Sequence, residues 1–130
     1  MSEIFARNER VIDVITDSQL SGLIADGKSP LLLFFWADWH EPSRRNGQMD
    51  SLFQSLSKKF LSIEFARVEA ESIASATEMF SVSVVPTFIG IFRGQSVQKV
   101  EGADPQALGA FVKTFSEYCA QKNIIPQVRR

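Results

Sequence analysis

His40 and Ser43 stand three residues apart, just past the apolar run Leu31 to Ala37, and offer an imidazole beside a hydroxyl. Such a pair is the raw material of nucleophilic acyl transfer, in which the imidazole takes the hydroxyl proton. No acidic orienter and no oxyanion arrangement is identifiable near it, so hydrolase chemistry is a minor reading. His40 could instead ligate a metal, because neutral imidazole is a common ligand. A metal site needs several converging groups, and only Glu41 is close in sequence. The favoured reading of His40 is a solvent-facing side chain, and that of Ser43 is hydrogen bonding at a helix start. The single cysteine, Cys119, excludes an internal disulfide and a multi-cysteine metal site. It shares a stripe with Leu108, Phe111, Val112 and Phe115, the position of a small buried hydrophobe with an inert thiol. Arg44 and Arg45 could hold an anion at a helix start, but a solvated helix face is the favoured reading. No catalytic residue and no metal ligand is assigned.

The elements that must position these groups follow from periodicity. Val11 to Ile15 has the β-branched content of a strand. A helix over about Asp17 to Asp26 is opened by Thr16 with Gln19 and closed by Gly27. "LLLFFW" is a continuous apolar run of the kind buried on both faces of a sheet. From Pro42 onward, Met49, Leu52, Phe53, Leu56 and Phe60 recur on one face of a long helix. Ile63 to Val68 reads as a strand and Ser72 to Phe80 as a short helix. Phe88 to Phe92 and Val97 to Glu101 flank "RGQS" as a hairpin. Asp104 and Pro105 then start a final helix. The order β-α-β-α-β-α-β-β-α implies parallel, right-handed crossover units followed by antiparallel edges.

With 130 residues, 45% of them hydrophobic, the chain fits one domain with a full core. Residues 1–10 read as an N-terminal extension, 11–120 as the domain and 121–130 as a tail or the start of a linker, with a break at Pro126. Fourteen basic and fifteen acidic residues nearly cancel, so no strong field draws nucleic acid or a membrane surface. The start "MSEIFARNER" lacks a signal-peptide core, and no apolar stretch has the length of a membrane span. A cytoplasmic protein, also nuclear, is expected.

"FFWADWHEPS" resembles the active-site segment of the thioredoxin family, in which W-A-x-W-C-G-P-C joins a central strand to a helix. Trp36, Ala37, Trp39 and Pro42 match. "SVVPTF" resembles the family's loop with a cis-proline at Pro86, and Gly102 matches the glycine after the last strand. The resemblance implies a thioredoxin fold, a three-layer α/β/α domain around a central mixed sheet. It also implies that His40 and Ser43 stand where the two cysteines belong, and that Phe34 replaces the buried aspartate that assists proton transfer. Arg67 takes the place of a neighbouring lysine. His40, Glu41, Pro42 and Ser43 then form a vestigial active site, because disulfide exchange requires an attacking thiolate. The chain is expected not to be a redox enzyme.

"WADWHEPS", "VEAES", "VVPTF" and "EGAD" together are similar to the N-terminal thioredoxin-like domain of multidomain monothiol glutaredoxins. That likeness implies a role in iron–sulfur and iron homeostasis and in redox regulation. It implies no cofactor in this chain, with a glutathione-ligated iron–sulfur cluster in a glutaredoxin domain absent from it. The leading function is a protein-docking or targeting module that holds client segments across Trp39, Val85, Pro86 and Thr87. A monomer that binds protein partners, without nucleic acid or membrane, is expected. One alternative is an accessory part of a thiol–disulfide oxidoreductase whose reactive cysteine lies in another domain. Another is a stand-alone subunit of an RNA-processing or signalling assembly.

Overall fold

The central strand decides the architecture. In the computed structural model, which describes residues 10–128 with side chains to residue 122, Leu31–Trp36 forms β2 in the middle of a five-stranded sheet. The sheet order is β1-β3-β2-β4-β5, where β1 is Ile12–Val14, β3 Glu64–Glu69, β4 Thr87–Phe92 and β5 Gln95–Glu101. β1, β3 and β2 run parallel, while β4 is antiparallel to β2 and β5 antiparallel to β4. Helices α1 (Asp17–Asp26) and α2 (Gln48–Lys59) make the two crossovers; α3 (Ala74–Met79) and α4 (Pro105–Val128) complete the two outer layers. The three-layer arrangement expected from the sequence is present.

Alternation along β2 feeds two cores. Leu32 and Phe34 point to a layer built with Phe53 and Met49 of α2 and Val112 and Phe115 of α4. Leu31, Leu33 and Phe35 point the other way, to Leu20 of α1 and Ala76 of α3. Phe34 is fully buried, its ring stacked 4.8 Å from Phe88 and tilted 5.0 Å from Phe53. A carboxylate there would lose those contacts and lie in apolar surroundings. α4 approaches the sheet closely at Gly90, where an added Cβ would fall 2.7 Å from the Phe115 ring.

Local signals set the ends. Thr16 Oγ1 accepts the Gln19 N–H at 3.1 Å, and Gln19 Oε1 accepts the Ile15 N–H at 2.7 Å, which starts α1. Gly27, at φ 61°, closes it. Asp104 Oδ1 caps α4 by accepting from Gln106 and Ala107.

Several boundaries differ from the sequence reading, most of them by one or two residues. β5 begins at Gln95 rather than Val97, because Arg93 and Gly94 both take positive φ and make a two-residue hairpin turn. α4 continues to Val128, past the break expected at Pro126; a proline costs a long helix one hydrogen bond near its end without removing the turns before it. α2 starts at Gln48, not in the stretch after Pro42. Asn46, at φ 65°, cannot continue a helix, and Gly47 is the N-cap in a crowded turn. A Cβ on Gly47 would meet the Glu41 carbonyl at 2.7 Å. The extension read over 1–10 lies, apart from Arg10, outside the described residues.

Candidate functional site

The stretch from Ala37 to Gly47 leaves the end of β2 as a chain of turns. The His40 N–H donates to the Ala37 carbonyl, and the Ser43 and Arg44 N–H groups both donate to the His40 carbonyl at 3.0 Å. The Met49 N–H reaches back to the Pro42 carbonyl at 3.1 Å, tying the turns to α2. Ser43 is therefore not at a helix N-terminus as expected; it is sealed inside the turn, 1% exposed. Its Oγ donates to the His40 carbonyl, accepts weakly from the Ala37 N–H, and lies 3.0 Å from His40 Nδ1. In one tautomer Nδ1–H donates to Oγ while the hydroxyl donates to that carbonyl; in the other the hydroxyl donates to Nδ1. His40 is half-buried rather than solvent-facing, because this bond and an edge contact with Trp39 fold it against the turn. The pair braces the loop.

Arg45 does not sit on a solvated helix face either. It makes a two-pronged contact with the Asp13 carboxylate of β1, at 2.9 and 3.1 Å. Asp13 also accepts from Arg67 Nε at 2.9 Å, and Arg67 NH1 donates to Asp50 Oδ1 at 2.7 Å. Arg67 and Asp50 are both buried, and the second Asp50 oxygen accepts from the Asn46 N–H and the Gln54 amide. Arg67 is register partner to Phe34. The cation at that point of β3 thus pairs with a carboxylate from α2, the β2 position being an aromatic ring. Neither Asp13 nor Asp50 stands out in the sequence; Asp50 is legible only as one polar residue on the far side of the α2 stripe.

Trp39 stands 67% exposed at the tip of the first turn, its Nε1–H donating to Glu71 Oε2 at 2.8 Å. Trp36, by contrast, is partly buried against the core. Beside Trp39 lies a groove of about 200 Å³ lined by Ala37, Thr77, Val82, Val84 and Val85, with Glu71 on its rim. Trp39 and Val85 are brought together as the sequence suggested. The Val85–Pro86 peptide is cis, as the resemblance implied. Pro86 is buried and its carbonyl accepts the Gly102 N–H at 2.9 Å. Thr87 is fully buried, its Oγ1 donating to the Val84 carbonyl at 2.7 Å while its backbone belongs to β4. Neither residue lines the groove. Among the described residues the Val85 N–H and carbonyl take no backbone partner. Glu71 and Val84 were missed as contact candidates; the only signal for Glu71 was its place in "VEAES".

Among the described residues no group of three His, Cys, Asp or Glu could hold a metal ion, and no helix is long and apolar enough to cross a membrane. The thioredoxin family profile matches residues 11–114. Monothiol glutaredoxin-S17 of Arabidopsis thaliana is 39% identical over 98 residues, 75% of this chain and 19% of that protein. Glutaredoxin-3 of Homo sapiens is 32% identical over 99 residues, 76% of this chain and 28% of its own length. The chain thus spans about a fifth to a quarter of these relatives. Among solved structures, a Nicotiana alata thioredoxin superposes with a TM-score of 0.75 at 21% identity, covering 82% of this chain and 93% of the other. A Schistosoma mansoni thioredoxin gives 0.73 at 28% identity, over 82% and 98%. The chain has a thioredoxin fold and belongs to the thioredoxin family.

Proposed function

We propose that this is a redox-inactive thioredoxin-like domain that docks protein segments, and that it serves within a monothiol glutaredoxin-type protein of iron–sulfur homeostasis and redox regulation. One contrast carries the reading. The groups at the cysteine positions are spent on holding a turn together, with Ser43 buried and bonded to His40, whereas the neighbouring Trp39 is exposed beside an apolar groove. Exchange chemistry requires a thiolate that attacks sulfur and a second thiol that resolves the mixed disulfide. An exposed tryptophan next to a concave apolar surface is instead the kind of anchor found among binding hot spots. The Val85 backbone, which lines the same groove and takes no backbone partner among the described residues, supports pairing with an extended segment.

The wider role comes from similarity to monothiol glutaredoxins, of which this chain would be the thioredoxin-like part. A glutathione-ligated cluster would then belong to a separate glutaredoxin domain, with cytosol and nucleus as the working compartments and a monomeric docking unit as the functional form. That relatives are several times longer than this chain also favours the second reading, an accessory part of a larger thiol enzyme. Insulin reduction with a thiol donor, run beside an active thioredoxin, tests the first element of the proposal. The expected result is the uncatalysed background rate, and turnover above it would reject the inactive assignment.

A further inference from the structure

The groove beside Trp39 is lined mainly by apolar side chains, and Glu71 is the one charged residue among those lining it. Ala37, Val82, Val84 and Val85 make the floor. Glu71 lines the rim, with Oε2 fixed by the indole N–H and Oε1 open to a further donor. Asp38 precedes Trp39 and Glu41 lies two residues after it; both are exposed, and neither lines the groove. Glu41 has Arg44 at 3.7 Å, a loose contact between two exposed side chains. Among the described residues neither Asp38 nor Glu71 meets a lysine or arginine. Lys99 is engaged elsewhere, donating to the Phe80 and Ser81 carbonyls and lying 3.9 Å from Glu101.

We propose that this groove selects extended segments in which an apolar side chain is adjacent to a lysine or arginine, the apolar group filling the groove and the cation meeting Glu71. This rests on the docking reading above and names the partner chemistry it would use. The apolar floor alone would accept any hydrophobic segment. Glu71 discriminates, because an acidic residue brought beside it is repelled, while a basic one gains an ion pair at the edge of the groove. A cation bonded to Glu71 also lies near the exposed Trp39 ring, where it gains a cation–π attraction.

The test uses three twelve-residue peptides in a Ser/Gly background, each with a central valine flanked by lysines, glutamines or glutamates. Each is titrated by fluorescence anisotropy against the full chain at low and high NaCl. The lysine peptide is expected to bind roughly fivefold or more tightly than the glutamine one, with the glutamate peptide weakest and the differences shrinking at about 0.5 M salt. Glu71→Gln keeps an acceptor for the indole and removes the charge. It should weaken the lysine peptide about three- to fivefold and leave the glutamine peptide unchanged. Trp39→Ala, checked for folding by circular dichroism, should weaken all three. Equal binding of the three peptides, lost in Trp39→Ala, would overturn charge selection and leave docking standing. A lysine preference that survives Glu71→Gln would overturn Glu71 as its reader. No binding by any peptide, or binding indifferent to Trp39→Ala, would overturn the docking reading and this inference with it.

Discussion

Cys119 carries the one thiol of the chain, and its surroundings set its behaviour. It is 4% exposed on the inner stripe of α4, and burial pushes its pKa from the ordinary 9.0 up to about 11. Two units of elevation lower the thiolate fraction near pH 8 about a hundredfold, before any loss of access. Alkylation by a maleimide should therefore be slow in the native chain and fast after denaturation; equal rates would put the thiol at the surface. The same shift makes a stability claim. A thiol whose folded value is raised favours folding fully below about pH 9, and that contribution is lost as pH rises through 11, by about 1 kcal/mol per unit. Denaturant titrations from pH 8 to 10.5 should show this slope in the wild type and lose it in Cys119→Ala.

At the scale of elements, the join between β2 and α2 is the informative one. Periodicity located the α2 stripe from Met49 onward, yet the first turn of that helix was placed too early. Proline at 42 is compatible with a helix start, and the sequence does not reveal the crowding around Gly47 that delays it. Asp50 then fastens the join, holding the Asn46 N–H on one oxygen and the buried Arg67 on the other. Removing one partner of a buried pair leaves the other charge poorly compensated, at a cost of about 3–5 kcal/mol. Asp50→Ala should lower unfolding stability by about 3 kcal/mol or more in urea. A change below about 1 kcal/mol would mean that the remaining partners of Arg67 suffice and that the turns hold themselves.

For the whole molecule, β2 contributes side chains to both hydrophobic layers, so neither layer can dissolve while the other stays intact. Single domains of this size usually unfold in one step. Far-ultraviolet circular dichroism, which follows backbone, and tryptophan fluorescence, which follows Trp36 and Trp39, are expected to give coincident urea transitions. Separate midpoints would show that the Trp39 end of the sheet unfolds independently. Such independence would also undermine a docking surface that depends on β2, β4 and the turn being held together.

Much of this was readable before any fold was known. Element order, the buried central strand, the caps at Thr16 and Asp104 and the turn at Gly94 are local signals, set by residues within a few positions of one another. That His40 and Ser43, and no cysteine, follow Trp39 is likewise plain in one line of sequence. What tertiary structure alone decided depends on residues far apart in the chain. Arg45 reads as a solvated helix residue in the sequence, but the fold sets it against Asp13, thirty-two positions away. Thr87 was taken for a contact residue, but β4 pairs on both sides there and buries it. Glu71 gained its place at the groove from a hydrogen bond to Trp39 across thirty-two residues. Periodicity reports which face of an element is apolar; it carries no information on which distant polar group will meet another, because that pairing is fixed only when the layers close.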